Sequence, residues 1–189
     1  MPDRSTSGDR VQEVDLSGAL GRALVVFSPA GLVALQAWSC LPALDARGAW
    51  LAAVSARDAV DGELPAAWLE TLRAYSGGEP VDPAGLPVDL RGPRFYVAVW
   101  RALLRVPRGA VRSYQGLASD AGSPRASRAV GQAMAHNPLP IVVPCHRAIG
   151  AGGAIGGYTG GLDRKRVLLA LEGVAVHGDT VHAGQLDLL

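Results

Sequence analysis

Cys145 stands beside His146 and Arg147 in the stretch Asn137-Pro-Leu-Pro-Ile-Val-Val-Pro-Cys-His-Arg147. A cysteine attacks only as thiolate, and a free pKa of about 8.5 leaves few thiolates at neutral pH. An adjacent base and a nearby positive charge correct that, and this stretch holds candidates for both. Taken without context, a Cys-His pair reads more often as a buried structural cysteine beside a chance histidine.

The elements that must position the cysteine can be read around it. Ile141, Val142 and Val143 predict a short buried strand. Pro138 and Pro140 precede it and Pro144 ends it, since proline cannot donate to a ladder. Cys145 is thereby expected at a rigid strand end. Upstream, Phe95, Val99, Leu103 and Val106 recur at helical spacing and predict a helix near 93–106, with Arg94, Arg101 and Arg105 between them. Ser113 is placed to cap a short helix that ends near Ala121. Pro124, in the turn Gly122-Ser-Pro124, suits the first position of a second helix, 125–136. Asn137 is expected in the left-handed position after that helix, and Pro138 stops it.

Two short helices joined by a glycine-containing turn carry a helix-turn-helix signature, although an isolated pair reads equally as an all-α packing unit. On a helical wheel Ala126, Ala129, Val130, Ala133 and Met134 share the core side. Ser127, Arg128, Gly131, Gln132 and Ala135 share the other, with Arg125 at its edge. Helices that read the major groove usually carry long polar side chains. This face is mostly small, which lets a backbone approach sugar and phosphate closely, as minor-groove binding requires. Arg128 projects from its middle.

Downstream, 150–161 holds seven glycines, with Tyr158 and Thr159 among them. Such a run is either a flexible surface loop or a backbone wall that can lie flush against a flat base. A helix is predicted over 163–171, ended by Glu172-Gly173. Negative charge at a helix C-terminus opposes the dipole, and such a local conflict hints at function. A small strand pair and a tail follow, with His177 and His182 solvated.

Over the first half, the runs 22–28 and 32–38, split by Pro29-Ala30-Gly31, predict a hairpin. A helical stretch is expected over 43–61. Another helix starts at Pro65, with Trp68, Leu69, Leu72 and Tyr75 at core spacing, and ends at Gly77-Gly78. The proline- and glycine-rich segment 77–92 is read as a linker between domains. No catalytic constellation is visible before it: Cys40 is alone, and residues 1–90 contain no histidine.

At 189 residues the chain can hold one large or two small domains. Its net charge of +1 conceals a split. Residues 1–90 hold six Lys/Arg and twelve Asp/Glu, whereas residues 91–166 hold twelve and two. A basic segment of that size is either an electrostatic footprint for phosphate or a solvated arginine face balanced by the acidic half. Lys165 is the only lysine. Two cysteines do not make a disulfide framework. No apolar run reaches the roughly 20 residues of a membrane span, and the first eighteen residues lack the apolar core of a signal peptide. The expectation is a reducing compartment, the cytoplasm, and no membrane partner.

Pro-Cys-His-Arg, with Asn-Pro before it, Gly-Gly-Tyr-Thr-Gly-Gly after it and Leu-Glu-Gly beyond, resembles the O6-alkylguanine-DNA alkyltransferase family. The close resemblance runs from about Phe95 to Val174 and is weak over the first ninety residues. It implies an α/β (α+β) chain: a small sheet-bearing, ribonuclease-H-like N-terminal domain, then a winged helix-turn-helix-like domain carrying the cysteine. The expected bounds are a mobile segment over 1–18, the first domain over 19–90, the DNA-binding and alkyl-acceptor domain over 91–176, and a tail over 177–189.

The implied function is direct repair of O6-alkylguanine, and of O4-alkylthymine, in double-stranded DNA. The alkyl group moves irreversibly to Cys145, one turnover per molecule, by a monomer without metal or cofactor. By resemblance His146 is the base, reaching the thiol through a water, and Glu172 orients it. Tyr114 donates towards guanine N3, and Thr159 offers its backbone N–H to O6. The carbonyls of Cys145 and Ala148 accept from the exocyclic amine. Tyr158 and Lys165 stand at the pocket edge, and Asn137 is the hinge between helix and cysteine. Arg125, Ala126, Ser127, Gly131 and Gln132 face the minor groove, and Arg128 enters the stack where the target nucleotide has flipped out. Some members hold a structural zinc in the first domain; its ligands are missing here. Two other classes are a lesion sensor without transfer, which lacks the cysteine, and a His-assisted cysteine hydrolase, for which no oxyanion hole is visible.

Overall fold

In the first of two compact units, Met1–Arg91, the hairpin is present. β2 (Arg22–Ser28) pairs antiparallel with β3 (Gly31–Ala37). The structure is a computed structural model and describes residues 8–37, 56, 58–182 and 186–187. The segment expected to be mobile instead contributes β1 (Arg10–Asp15), antiparallel to β2. Its Val11 and Val14 are buried, and burying them outweighs the polar residues between, which face solvent or lie half-buried. β4 (Val60–Asp61) runs parallel to β1, so the sheet order is β3-β2-β1-β4. The helix expected over 43–61 lies mostly outside the described residues, as do Trp38 and Cys40; its last two residues are β4, not helix. α1 (Ala66–Ser76) starts after Pro65 and buries Leu72 and Tyr75, while Trp68 and Leu69 are half-buried.

The end of the segment read as a linker, 87–91, is strapped to this sheet. Leu32 donates to Pro87 O at 2.9 Å, and Asp89 donates back to Leu32 O at 2.8 Å. Gly31 sits at φ +147°, and a Cβ there would lie 2.6 Å from the Pro87 carbonyl carbon, so glycine is required for this approach. Arg91 forks onto the Asp9 carboxylate at 2.6 and 2.8 Å and also donates to Asp89.

The second unit, Gly92–Leu189, is built on α2 (Arg94–Leu104), which buries Val99, Trp100, Ala102 and Leu103. β5 (Val111–Ser113) leads into α3 (Tyr114–Asp120), and the Ser113 hydroxyl caps it by accepting from Gly116 N at 3.0 Å. α4 (Ser127–Ala135) follows. It begins two residues later than expected: Ala126 N donates to Ser123 O at 2.9 Å, so Pro124 sits inside a turn instead of opening the helix. Val130 and Ala133 are buried, whereas Arg125, Arg128, Gln132 and Ala135 are exposed. The Trp100 indole N–H donates to Ala133 O at 2.9 Å and ties α4 to α2.

β6 (Ala148–Ile149) and β9 (Leu186–Asp187) flank β5 in a parallel sheet, so the expected tail in part joins that sheet. α5 (Leu162–Leu171) precedes an antiparallel pair, β7 (Ala175–His177) and β8 (Thr180–His182), on which His177 and His182 are exposed. Val111, Ile149, Ile155, Leu169, Val174 and Val181 form one core cluster. The architecture is mixed α/β, with five α-helices and small sheets among the described residues.

No strand precedes the cysteine. Residues 141–143 form a buried turn, closed by Val143 N donating to Leu139 O at 2.8 Å. Pro138, Pro140 and Pro144 remove three donors that a ladder would need. Ile141 takes φ +80°, a costly conformation for a β-branched residue, retained because the surrounding core holds it. Asn137 is not left-handed; positive φ among described non-glycines is confined to Ser17 and Ile141.

Candidate active site

Cys145 opens a single 3-10 turn, Cys145–Arg147, that feeds directly into β6. Its amide donates to Val143 O at 2.8 Å, which fixes the sulfur against the preceding turn. Asn137 completes the support. Its Nδ2 donates to Val143 O at 2.9 Å and to the Cys145 sulfur at 3.1 Å, and its Oδ1 accepts from Leu139 N at 3.0 Å. One side chain thus bridges the end of α4 and the nucleophile.

The sulfur lies in a cavity of about 320 Å³ lined by Tyr114, Gly131, Met134, Ala135, Cys145, Gly157, Tyr158 and Thr159. The glycine-rich segment is one wall. Tyr114 donates its hydroxyl to Gly157 O at 3.3 Å, and a Cβ on Gly156 would come within 3.1 Å of the Tyr114 ring. With φ +68°, Gly156 is required on both counts. The small face of α4 is another wall: Gly131 leaves space that a side chain would fill.

Behind the cysteine lies a fully buried ionic group. Glu172 Oε1 is 2.8 Å from His146 Nε2, and both side chains have no exposure. A carboxylate only accepts, so Nε2 carries the proton and Nδ1 bears the lone pair. That Nδ1 is buried and has no hydrogen-bond partner among the described residues. Arg147 forks onto the same carboxylate, Nε to Oε2 and a terminal nitrogen to Oε1, each at 2.9 Å, and donates to Val106 O at 2.5 Å. Glu172 therefore accepts from one cation, Arg147, and from the N–H of one neutral imidazole, and these two partners stabilise it at the helix end, not solvent. Burial opposes its charge, yet His146 and Arg147 hold its carboxyl far below the ordinary range. Burial pushes His146 down and keeps it neutral.

Lys165 departs from the expected edge position. It is fully buried, and its ammonium donates to Ala148 O at 2.6 Å, Ile155 O at 2.5 Å and Gly157 O at 3.4 Å. Burial lowers its pKa to about 8, opposed by attraction to Cys145. The positive charge acting on the sulfur is thus Lys165, because Arg147 is committed to Glu172. Burial pushes the Cys145 thiol up, while Asn137, Lys165 and a Tyr158 hydrogen bond draw it down; the balance leaves a thiol at rest. Burial likewise raises Tyr114.

The structure brings Tyr114, Gly131, Cys145, Tyr158 and Thr159 to the cavity and sets Asn137, His146, Lys165 and Glu172 around it. Arg128 and Gln132 project from α4 into solvent, Arg125 is exposed in the turn before it, and Ala126 and Ser127 lie half-buried at its start. The Cys145 carbonyl accepts from Ala148 N, and the Ala148 carbonyl accepts from Lys165. Met134, Ala135 and Gly157 line the cavity, and Arg147 anchors Glu172, without having been singled out for those positions. An arginine inside the apolar run 141–149 was the available signal for the last. Among the described residues, no group of three His, Cys, Asp or Glu could hold a metal ion, and no helix is long and apolar enough to cross a membrane.

Two short helices joined by a turn wall a buried cysteine backed by a His–Glu pair, which defines a buried-thiol site in a small α/β domain. Residues 94–174 match the family described as 6-O-methylguanine DNA methyltransferase, DNA binding domain. The chain is 55% identical over 104 residues to a methylated-DNA–protein-cysteine methyltransferase of Mycolicibacterium paratuberculosis; the match covers 55% of this chain and 62% of that relative's length. The crystal structure of the Mycobacterium tuberculosis O6-methylguanine methyltransferase superposes with a TM-score of 0.69 at 36% identity, covering 87% of this chain and 92% of the other. That of Mycobacterium tuberculosis OGT in complex with DNA gives 0.66 at 35% identity, covering the same shares. The chain belongs to the methylated-DNA–protein-cysteine methyltransferase family.

Proposed function

We propose that this protein repairs O6-alkylguanine, and O4-alkylthymine, in double-stranded DNA by taking the alkyl group onto Cys145, once per molecule. The observation that carries the reading is Cys145 itself: a buried thiol on a cavity floor, held by Asn137, with a neutral histidine behind it whose free lone pair points to a proton acceptor. His146 Nδ1 takes the thiol proton through a water, and Glu172 stabilises the imidazolium that forms. The sulfur lone pair forms the S–C bond, the C–O6 bond breaks, and guanine leaves with the bonding pair and gains a proton. Tyr114 supplies a hydrogen bond towards N3 as charge develops on the base. The glycine wall lies against the flipped base, Thr159 N–H serves O6, and the carbonyls of Cys145 and Ala148 receive the exocyclic amine on their remaining lone pairs. Lys165 acts from below the wall as the counter-charge of the thiolate.

In this reading α4 enters the minor groove through Arg125, Ala126, Ser127, Gly131 and Gln132, and Arg128 fills the gap left by the flipped nucleotide. DNA bound in the solved relative supports this partner. The second unit is then the DNA-binding and alkyl-acceptor domain, of winged helix-turn-helix type, and the first a ribonuclease-H-like sheet domain. The site is complete in one chain, so the protein acts as a monomer. It works in the cytoplasm, where a reducing poise keeps Cys145 a thiol. A hydrolase needs an oxyanion hole beside the sulfur, and a sensor has no use for a thiol there.

Intact mass after incubation with an O6-methylguanine oligonucleotide tests the proposal. A gain of one methyl group, mapped to Cys145 and stopping at one equivalent, is expected. Continued product release, or modification elsewhere, overturns it.

A further inference from the structure

The second unit carries another, wider hollow of about 560 Å³ that includes none of the residues assigned to the transfer chemistry. Its floor is the solvent-facing side of α2. Arg94, Arg101 and Arg105 lie there at steps of seven and four residues, within about 20° of one line along the helix. Their spacings along the axis are about 10 and 6 Å. Val97 and Ala98 between them are short, and the Arg105 guanidinium donates one bond to the Arg101 carbonyl at 3.2 Å. The facing wall is the end of α3 and its turn, Asp120 to Gly122. All three arginines are exposed, and none pairs with an acidic group among the described residues. Asp120 does not neutralise them, because its two oxygens are forked by Arg112 at 3.0 Å each.

We infer that this hollow is a phosphate track, which seats the sugar-phosphate backbone of the duplex beyond the groove that α4 occupies. The inference rests on the DNA reading above and extends its footprint to a face with no assigned role. Three like charges on one helix stripe repel one another, and an anionic strand relieves that repulsion. Guanidinium forks match phosphodiester oxygens, and a row of them at such spacing follows a strand without reading bases. A protein partner fits less well, because interface cores are depleted in charge, and a small-molecule pocket has a mostly apolar lining. The hollow's wall runs straight into the turn that precedes α4, so a strand leaving the N-terminal end of α4 meets this face.

Two triple variants test it: Arg94→Gln/Arg101→Gln/Arg105→Gln, and the same positions changed to Lys. Duplex binding is measured by fluorescence anisotropy across a salt series. Each phosphate contact contributes about 0.9 to the slope of log K against log salt. The glutamine variant should therefore lose close to 3 from that slope, and the lysine variant should keep it. Labelling of Cys145 by free O6-benzylguanine, which needs no duplex, should be equal in all three proteins. An unchanged slope in the glutamine variant overturns the track. So does low-salt self-association of the wild type that this variant abolishes without changing the slope, which would make an acidic surface of a second copy the occupant. Failure of the wild type to label from either free base or oligonucleotide strikes the repair reading instead, and the slope still decides the track.

Discussion

Each unit buries a carboxylate against an arginine, and the two arrangements differ in what is left over. In the first, Asp9 has no side-chain exposure and is forked by Arg91, which is 29% exposed and also bonds Asp89; Asp89 in turn accepts from Ser28 at 2.9 Å. Every partner there is consumed by fastening the segment 87–91 to the sheet. In the second, Glu172 is forked by Arg147 and also holds His146, and one nitrogen of that histidine remains uncommitted next to a cysteine on a cavity floor. The same ion-pair physics gives a strap in one place and a proton acceptor in the other. What separates them is a titratable intermediary with an unused lone pair and a cavity to use it in.

The sharpest break of this comparison is Cys145→Ala. It should abolish transfer from both oligonucleotide and free O6-benzylguanine while leaving duplex binding intact. Residual repair in this variant, read by mass of the oligonucleotide product, would remove the second unit's claim to chemistry.

Glu172→Gln should come next. It leaves Arg147 buried without a counter-charge, and breaking such a pair typically costs about 3–5 kcal/mol. Denaturant unfolding should report that loss, and transfer should slow even in protein that remains folded. A stability loss with no change in rate would reduce Glu172 to a strap like Asp9.

Arg128→Ala separates presentation of the base from the chemistry. Repair in duplex should weaken by an amount on the order of a few kcal/mol, the cost of unstacking. Labelling by the free base should be unchanged. Arg128→Lys should recover only part, since an ammonium does not stack. An Arg125→Ala variant that slows duplex repair equally would deny Arg128 a special place.

Asp9→Asn tests the other side. Arg91 keeps Asp89 and reaches water, so the cost should be nearer about 1–3 kcal/mol. The free-base labelling rate should not move below the melting range. A rate loss matching that of Glu172→Gln would show that the two networks are not functionally distinct.

The smallest effect is one of pH. His146 is neutral in the folded state because burial lowers it, while the unfolded chain takes a proton near the ordinary value of about 6.5. The unfolded state thus binds more protons, and stability should fall as pH drops through that value. Residues 1–90 contain no histidine, so the first unit contributes nothing to this fall. Unfolding free energies at pH 7 and pH 5 should converge in a His146→Gln variant; an equal drop there would contradict the assignment. Glu172 adds a second loss in the same direction below the ordinary carboxylate range.

The parts that sequence alone determined are those governed by local rules. The hairpin over 22–37, the Ser113 cap and the two-faced pattern of α4 follow from turn chemistry, capping and periodicity, each settled within a few residues. The adjacency of Cys145 and His146 is covalent, so no fold could hide it. Tertiary structure decided what depends on distant groups. β1 is a strand because β2 offers it a ladder and the core takes Val11 and Val14. The apolar run 141–143 became a turn because prolines deny it a ladder and Asn137 takes its carbonyl. Glu172 and Lys165, both charged on a helix of ordinary appearance, are buried because His146, Arg147 and three main-chain carbonyls come from elsewhere to meet them. A charge is stable inside a protein only when its partners are supplied, and the partners of these two lie up to 26 residues away along the chain.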